Sequence, residues 1–156
     1  DPGRITWVAP FRGRRAGAAR ILDAELGLGF PAPGRVLEHD GARCIGSGRA
    51  QAFLVAAEPP AALAGEAALA DLSDGWAVLR LAGPSAEAVL ARLVPVDLRG
   101  PGFGPAQVAC SELAHIPALI LRAGDGFEVM VMRSFAESAW RELTEAMRGV
   151  AARPRR

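Results

Sequence analysis

The segment that most constrains the fold is an apolar strand followed directly by an amphipathic helix in the last third of the chain. Residues 127–132 are apolar except for Glu128, a pattern typical of a strand that is covered on both faces. Residues 135–148 predict a helix, because apolar side chains recur there at helical spacing. This apolar face consists of Ala136, Trp140, Leu143 and Met147. A strand and a helix of this kind must bury their apolar faces against other elements, which predicts a layered domain containing both.

Both ends of this helix carry local signals. Ser134 precedes the helix and Glu137 follows three residues later, so the pair predicts a capping box at the N-terminus. Arg148 lies in the last turn, where a cation suits the helix dipole, and Gly149 is placed to end the helix. These signals are structural and have no catalytic character.

The residues upstream predict the rest of a sheet. Strands are predicted at 76–81, 107–113 and 118–122, and residues 124–126 are a hairpin turn signal. A helix begins after the Gly-Pro pair at 83–84, since proline is tolerated in the first turn. Its buried stripe consists of Ala86, Val89, Leu90 and Leu93. The order β-α-β-β-β-α predicts an α+β fold, with an antiparallel or mixed sheet and helices packed on one face.

The start of the chain differs from the rest in composition. Four prolines and six glycines in residues 1–38 predict an irregular N-terminal arm, with at most one short helix around residues 18–26. The sequence after this arm predicts a single α+β domain at 39–150 and a frayed tail at 151–156.

A basic cluster at residues 11–15 lies inside this arm. Either it is a solvated loop or it docks on an acidic partner surface. An arm of this kind packs poorly alone and gains by lying on a partner. We therefore expect deletion of residues 1–15 to weaken assembly more than it lowers the melting temperature.

Composition narrows the classes of function. The apolar runs are of strand length, so we expect no membrane span. The net charge of +1 gives no overall attraction to nucleic acid. Cys44 and Cys110 lie far apart in the sequence, a pattern typical of two small buried thiols in a reduced, cytoplasmic protein. We expect no signal peptide, and Asp23 and Glu25 argue against a mitochondrial leader.

The nucleophiles and bases do not form a catalytic set. His115 follows Cys110 by five residues, and an odd separation in an extended segment puts the two side chains on opposite faces. His115 is therefore interpreted as a residue at a strand edge or bend. His39 lies between two acidic residues in a turn-like triplet, which favours a solvated loop over a metal or interface role.

Carboxylates and tryptophans also have structural interpretations. The candidate carboxylate pairs are Asp71 with Asp74 and Glu142 with Glu145. The first pair lies in a turn and the second on a polar helix face, so neither is assigned acid–base work. Trp76 and Trp140 are assigned to the core, and Trp7 is the candidate interface anchor. We assign no catalytic, cofactor-binding or metal-binding residue.

Four stretches carry a family resemblance, at residues 71–84, 88–98, 115–121 and 133–143. Together they resemble the gamma subunit of heterotetrameric bacterial sarcosine oxidase, over about residues 66–150. They also look like the folate-binding domain of the aminomethyltransferase (glycine cleavage T-protein) superfamily, of which the gamma subunit is a diminished relative.

The resemblance implies a folate-binding-domain-like fold and an accessory subunit that contributes assembly and stability. The complex it implies oxidatively demethylates sarcosine to glycine. It implies alpha, beta and delta subunits as partners, which would hold the FAD, FMN, NAD, tetrahydrofolate and zinc. The chain lacks the Gly-Cys-x-Gly-Gln motif of folate-binding iron–sulfur maintenance proteins, so no folate ligand is assigned. Two alternatives stay open: a free-standing folate-binding or aminomethyltransferase-like protein, and the equivalent subunit of a related N-methyl amino acid dehydrogenase.

Overall fold

The computed structural model describes residues 2–152, and its chain contacts define two compact units. Unit 1 is Asp1–Asp74 and unit 2 is Gly75–Arg156. The predicted division into an arm and a single domain at 39–150 is not what the contacts show, because the boundary falls at residues 74 and 75. Of the predicted tail, Ala151 ends a helix and residues 153–156 lie outside the described residues.

Unit 1 is built on a five-stranded antiparallel sheet in the order β2-β3-β4-β1-β5. Its strands are β1 (Ile5–Pro10), β2 (Val36–His39), β3 (Ala42–Gly48), β4 (Gln51–Val55) and β5 (Ala67–Asp71). Helix α1 (Arg15–Leu26) packs on the sheet through Ala18 and Leu22, which are fully buried with Val8 and Leu54. Gly27 ends α1 in the left-handed conformation, φ 64°, and its N–H is bonded to the carbonyl of Asp23.

The prediction of an irregular arm is therefore wrong over most of residues 1–38. β1 lies between β4 and β5 and pairs with both. α1 begins three residues before the short helix that the sequence allowed. One arginine of the basic cluster, Arg15, contacts other parts of unit 1. Arg15 donates to the carbonyls of Pro31 and Arg49, and its guanidinium lies over the Phe30 ring.

Unit 2 confirms the predicted order of elements and the α+β fold class. Its elements are β6 (Trp76–Ala82), α2 (Ala86–Leu90), β7 (Val108–Leu113), β8 (Ile116–Ala123), β9 (Gly126–Met132) and α3 (Ala136–Ala151). The four strands form an antiparallel sheet in the order β6-β9-β8-β7. In β9, Phe127, Val129 and Val131 belong to the core that includes the helices, and Met130 between them is also fully buried. The centre of β9 is thus buried on both faces, as its apolar sequence predicts, whereas Met132 at its end is 51% exposed.

The predicted capping of α3 is wrong at both ends. Residues Arg133–Phe135 form a 3-10 turn, so the N-cap is Phe135 and no side chain caps the helix. A capping box needs Ser134 at the N-cap and Glu137 three residues later. Because the turn delays the start of the helix, the N-cap position falls on Phe135 instead. At the other end the helix runs through Gly149 to Ala151.

The buried face of α3 is also rotated from the predicted one. The buried residues are Ala139, Leu143 and Ala146. Leu143 belongs to both patterns, whereas Trp140 and Met147 are 62% and 47% exposed. The small alanine side chains face the core, and the larger side chains of Trp140 and Met147 lie at the edge of the buried face.

We predict that Leu143→Ala lowers the free energy of unfolding by about 2–5 kcal/mol, because it removes a buried side chain and leaves a cavity. Leu143 is 4% exposed and packs in the unit 2 core. Urea denaturation followed by circular dichroism measures the change. Trp140→Ala, in the same helix but exposed, is the control and should change stability by less than about 1 kcal/mol. Equal stability of wild type and Leu143→Ala would contradict the assigned face.

Candidate docking surface

The structure places His115 in a turn, whereas His39 is the last residue of a strand and not part of the loop that the sequence favours. His39 ends β2, and its Nε2 lies 3.5 Å from the Asp40 carboxylate. His115 occupies the β7–β8 turn with φ 72°, and its side chain is 95% exposed. No group of three or more His, Cys, Asp or Glu side chains within residues 2–152 could hold a metal ion.

The cysteines divide into one buried and one exposed thiol. Cys44 is fully buried in β3, and burial raises the pKa of its thiol to about 12. Cys110 is exposed on β7, so the expectation of two buried thiols is wrong for this residue. Cys110 pairs with Leu119 across the β7–β8 ladder, whereas His115 lies in the turn at the end of that ladder.

The carboxylates have structural partners or lie at the helix surface. The Asp71 carboxylate accepts hydrogen bonds from the Ser73 hydroxyl at 2.6 Å and the Ser73 N–H at 3.0 Å. These bonds, with the nearby Arg4 guanidinium, hold the pKa of Asp71 below its ordinary value. Glu142 and Glu145 lie with Arg92 around a cavity of about 260 Å³. They therefore form part of a polar helix surface, as the sequence predicts.

Trp7 is not in an irregular arm but in β1, where it is half-buried. Its indole N–H donates to the Gln51 side chain at 3.3 Å. Trp76 begins β6 and is half-buried as well. Trp140, which the sequence assigned to the core, is the most exposed of the three, and it marks the strongest candidate for a functional surface.

The exposed apolar side chains of α3 lie along one line. Trp140 and Met147 are seven residues apart, so they occupy the same side of the helix about 10 Å from each other. Thr144 lies between them, and its hydroxyl donates to the Trp140 carbonyl at 2.8 Å. Because the hydroxyl donates within the helix, it needs no hydrogen bond from its donor to water between the two apolar side chains.

A cavity of about 190 Å³ continues this line toward the C-terminal end of α3. Met147 contributes to its wall, together with Leu81, Ala86, Val89 and Val150. Because Met147 belongs to both features, the exposed side chains and the cavity are continuous. We call the whole the α3 surface: Trp140, Met147 and the cavity walls formed by Leu81, Ala86, Val89 and Val150.

Two arginines of α3 lie about 100° round the helix from the line of Trp140 and Met147. Arg141 and Arg148 are exposed on α3, adjacent in the sequence to Trp140 and Met147 respectively. Within the described part of the chain, neither forms an ion pair. Exposed Glu137 and Glu145 lie three or four residues from these arginines, so this stripe of α3 carries both signs of charge.

No helix among residues 2–152 has the length and apolar character needed to cross a membrane.

Comparison with known proteins identifies the family. The model of the GCVT N-terminal domain family matches residues 46–155. The gamma subunit of sarcosine oxidase from Corynebacterium sp. (strain U-96) is 34% identical over 137 residues, which is 81% of this chain and 67% of that subunit. The chain belongs to the sarcosine oxidase gamma subunit family. This family lies within the larger group defined by the GCVT N-terminal domain, as the sequence resemblance predicts.

Further comparisons define the extent of the similarity to this gamma subunit family. The gamma subunit from Corynebacterium sp. (strain P-1) is 37% identical over 102 residues, 64% of this chain and 50% of that subunit. An aminomethyltransferase from Streptomyces avermitilis is 35% identical over 85 residues, 52% of this chain and 22% of that enzyme. The chain thus spans between half and two thirds of these two gamma subunits.

The solved structures agree with this assignment. A chain of the heterotetrameric sarcosine oxidase from Corynebacterium sp. U-96, in complex with pyrrole 2-carboxylate, superposes with a TM-score of 0.83 at 29% identity. The match covers 98% of this chain and 83% of that chain, so the structural similarity includes residues of both units.

Proposed function

We propose that the chain is an accessory subunit of a heterotetrameric flavoenzyme complex that oxidatively demethylates sarcosine. The observation that carries the proposal is the structural match over 98% of the chain to a chain of a heterotetrameric sarcosine oxidase. In this role the chain contributes assembly and stability, and the reaction takes place on the partner subunits in the bacterial cytoplasm.

The partners in this proposal are alpha, beta and delta subunits, which would hold FAD, FMN, NAD, tetrahydrofolate and zinc. The exposed α3 surface supports such a role, since exposed contiguous apolar side chains favour burial against another protein. The same subunit role in a related N-methyl amino acid dehydrogenase would use the same surfaces, because the substrate would be bound by another chain.

A second candidate is a free-standing folate-binding protein of the aminomethyltransferase type. It is favoured by the GCVT N-terminal domain match and by 35% identity to an aminomethyltransferase over 85 residues. This candidate predicts saturable binding of tetrahydrofolate to the isolated chain, whereas the accessory-subunit proposal predicts none.

Co-expression tests the accessory-subunit proposal. The chain is expressed with its genomic neighbours and purified through a tag on the chain, and the mass and visible spectrum of the product are recorded together. We expect a flavin-coloured complex much heavier than the 16.3 kDa chain. A colourless protein of the mass of the chain alone would overturn the proposal, and folate titration would then test the second candidate.

A further inference from the structure

We propose that the outer edge of β6 binds an extended segment of a partner subunit, which adds to the four-stranded sheet of unit 2 as a further strand. The inference rests on the proposed function and adds to it the docking residues and the conformation of the partner segment. The segment carries aliphatic side chains at every second position, because the face of β6 on which α3 packs is apolar.

β6 has an edge that no strand of unit 2 pairs with, since it is outermost in the order β6-β9-β8-β7. In an antiparallel ladder every second residue directs its N–H and C=O toward the neighbouring strand, and the others point away. The Leu81 carbonyl lies against Gly126 of β9, which fixes this alternation. The backbone groups that point away therefore belong to Val78, Arg80 and Ala82.

This edge is open and unprotected. Within the described part of unit 2, no hydrogen bond reaches the outward backbone groups of Val78, Arg80 and Ala82. The Trp76 carbonyl accepts a hydrogen bond from Arg133 at 3.2 Å, so the open stretch begins at Val78. β6 is seven residues long, contains no proline and carries a single charge. An exposed edge of this kind is a template for pairing with another extended chain.

α3 lies along the same edge. Met147 lines the cavity of about 190 Å³ with residues at the end of β6, among them Leu81. Glu142, on the other side of α3, lines the cavity of about 260 Å³ with Arg92, which follows α2. The side of α3 that carries Met147 and Trp140 is therefore directed toward β6. Because α3 runs back along the sheet after β9, Trp140 lies nearer the start of β6 and Met147 nearer its end.

The resulting groove selects apolar side chains. Ala77 and Leu79 lie on the face of β6 toward α3, and both are partly buried against the core of unit 2. A strand added at the edge places every second side chain beside these two residues and beneath the exposed Trp140 and Met147. Aliphatic side chains bury apolar surface there, whereas a charged side chain would be buried without a partner.

A second copy of this chain fits the edge poorly. Two-fold pairing of β6 with itself places both copies of α3 on one face of the joined sheet. Because α3 packs on both β6 and β9, the two helix axes would lie about two strand spacings, or ~10 Å, apart. Helices at that distance are in contact, and Trp140 and Met147 of both copies would have to share the space between them. A partner strand without such a helix leaves that space free.

The first test uses the complex obtained by co-expression, with a tag on the largest partner subunit. Val78→Pro removes an outward N–H, and an edge strand tolerates proline where the N–H faces solvent. Val78→Ala removes the side chain and keeps the N–H. We expect Val78→Pro to reduce the amount of chain that co-purifies by at least about tenfold, and Val78→Ala by less than about threefold.

Glu112→Pro is the matched control at the opposite edge of the same sheet, which is β7. The two-residue turn at 114–115 makes Leu113 and Ile116 a hydrogen-bonded pair, so the N–H of Glu112 points away from β8. This variant should leave co-purification within about twofold of wild type. Circular dichroism of the full chain checks that each variant remains folded.

The second test detects the backbone hydrogen bonds themselves. Hydrogen exchange with mass spectrometry compares overlapping peptides of residues 76–82 between the isolated full chain and the complex. The amides of Val78 and Arg80 should exchange at least about tenfold more slowly in the complex, because each donates to the added strand. Docking through the side chains of α3 alone would not slow these two amides.

The outcomes separate the inference from the proposed function. If the wild-type chain forms the complex but Val78→Pro co-purifies equally, or the two amides stay unprotected, the accessory-subunit role stands and the docking site is overturned. An equal loss for Val78→Ala and Val78→Pro also overturns it. If the wild-type chain forms no complex, both proposals are overturned. If the isolated chain is a dimer that Val78→Pro converts to a monomer, the occupant is a second copy and the proposed partner is wrong.

Discussion

Deletion of residues 1–15 is expected to abolish folding of unit 1. β1 is the fourth of five strands in the order β2-β3-β4-β1-β5, and it pairs with β4 on one side and β5 on the other. The deletion therefore separates β5 from the rest of the sheet. It also removes Ile5 and Val8, which are both fully buried. The lost burial and the lost ladder hydrogen bonds together exceed the stability of a typical domain of this size.

The measurement is limited proteolysis with mass spectrometry, combined with the loss of β-sheet signal in circular dichroism. We expect residues 16–74 to become susceptible to cleavage. Deletion of residues 1–3, which precede β1, is the matched control and should leave the cleavage pattern unchanged. A 1–15 deletion variant that kept its protease resistance and lost only assembly would restore the interpretation of these residues as an arm.

The misassignment of β1 has a physical cause. Pro2 lies shortly before the strand and Pro10 is its last residue, and a segment bounded by prolines is typical of a loop. The strand is instead stabilised by pairing with residues 52–55 and 67–71, which are distant in the sequence. Contacts of this separation leave little local signal, although the Ile-Thr-Trp-Val run has high β propensity.

Unit 2 was predictable because its pairing is mostly local. The turn at residues 124–125 joins β8 to β9, and the turn at residues 114–115 joins β7 to β8. Strand pattern and turn chemistry therefore act over short distances and agree with each other. Of the predicted α2 stripe, Ala86, Val89 and Leu90 are buried, whereas Leu93 lies beyond the end of the helix and is partly buried against the core.

The α3 surface could not be derived in the same way. Helical spacing marks Ala136, Trp140, Leu143 and Met147 as one apolar face, yet Ala139, Leu143, Ala146 and Val150 have the same periodicity. The choice between these two faces depends on how closely the helix approaches the sheet, which a single sequence does not specify. The available signal was the pair of alanines, Ala139 four residues before Leu143 and Ala146 three residues after it, since small residues permit close packing.

Phe127→Ala is expected to produce the largest loss of stability among single substitutions in unit 2, about 3–5 kcal/mol. The ring is 1% exposed and lies in the core of unit 2, stacked on Phe103 with a centroid separation of 6.5 Å. Its face also carries the Arg122 guanidinium, 4.7 Å from the ring centroid. The substitution thus creates a cavity and removes a cation–π contact at one position.

The effect should extend to the segment between α2 and β7, because Arg122 fixes that segment. Its guanidinium donates to the carbonyls of Leu98 and Phe103, each at 2.8 Å, and to the Glu87 carboxylate at 2.8 Å. Without the ring beneath it, Arg122 is less confined, so the segment whose carbonyls it binds opens more often and exposes its backbone N–H groups to solvent. Hydrogen exchange should therefore accelerate in residues 98–107 as well as in β9.

Urea denaturation measures the loss of stability, and hydrogen exchange with mass spectrometry locates it. Phe135→Ala, at a ring that is 40% exposed in the turn before α3, is the matched control and should change stability by less than about 1 kcal/mol. The loss of stability for Phe127→Leu should lie between those of Phe127→Ala and Phe135→Ala, since leucine retains most of the buried volume but not the aromatic face. A loss below about 1 kcal/mol for Phe127→Ala, or unchanged exchange in residues 98–107, would show that Arg122 and the core hold this region without the ring.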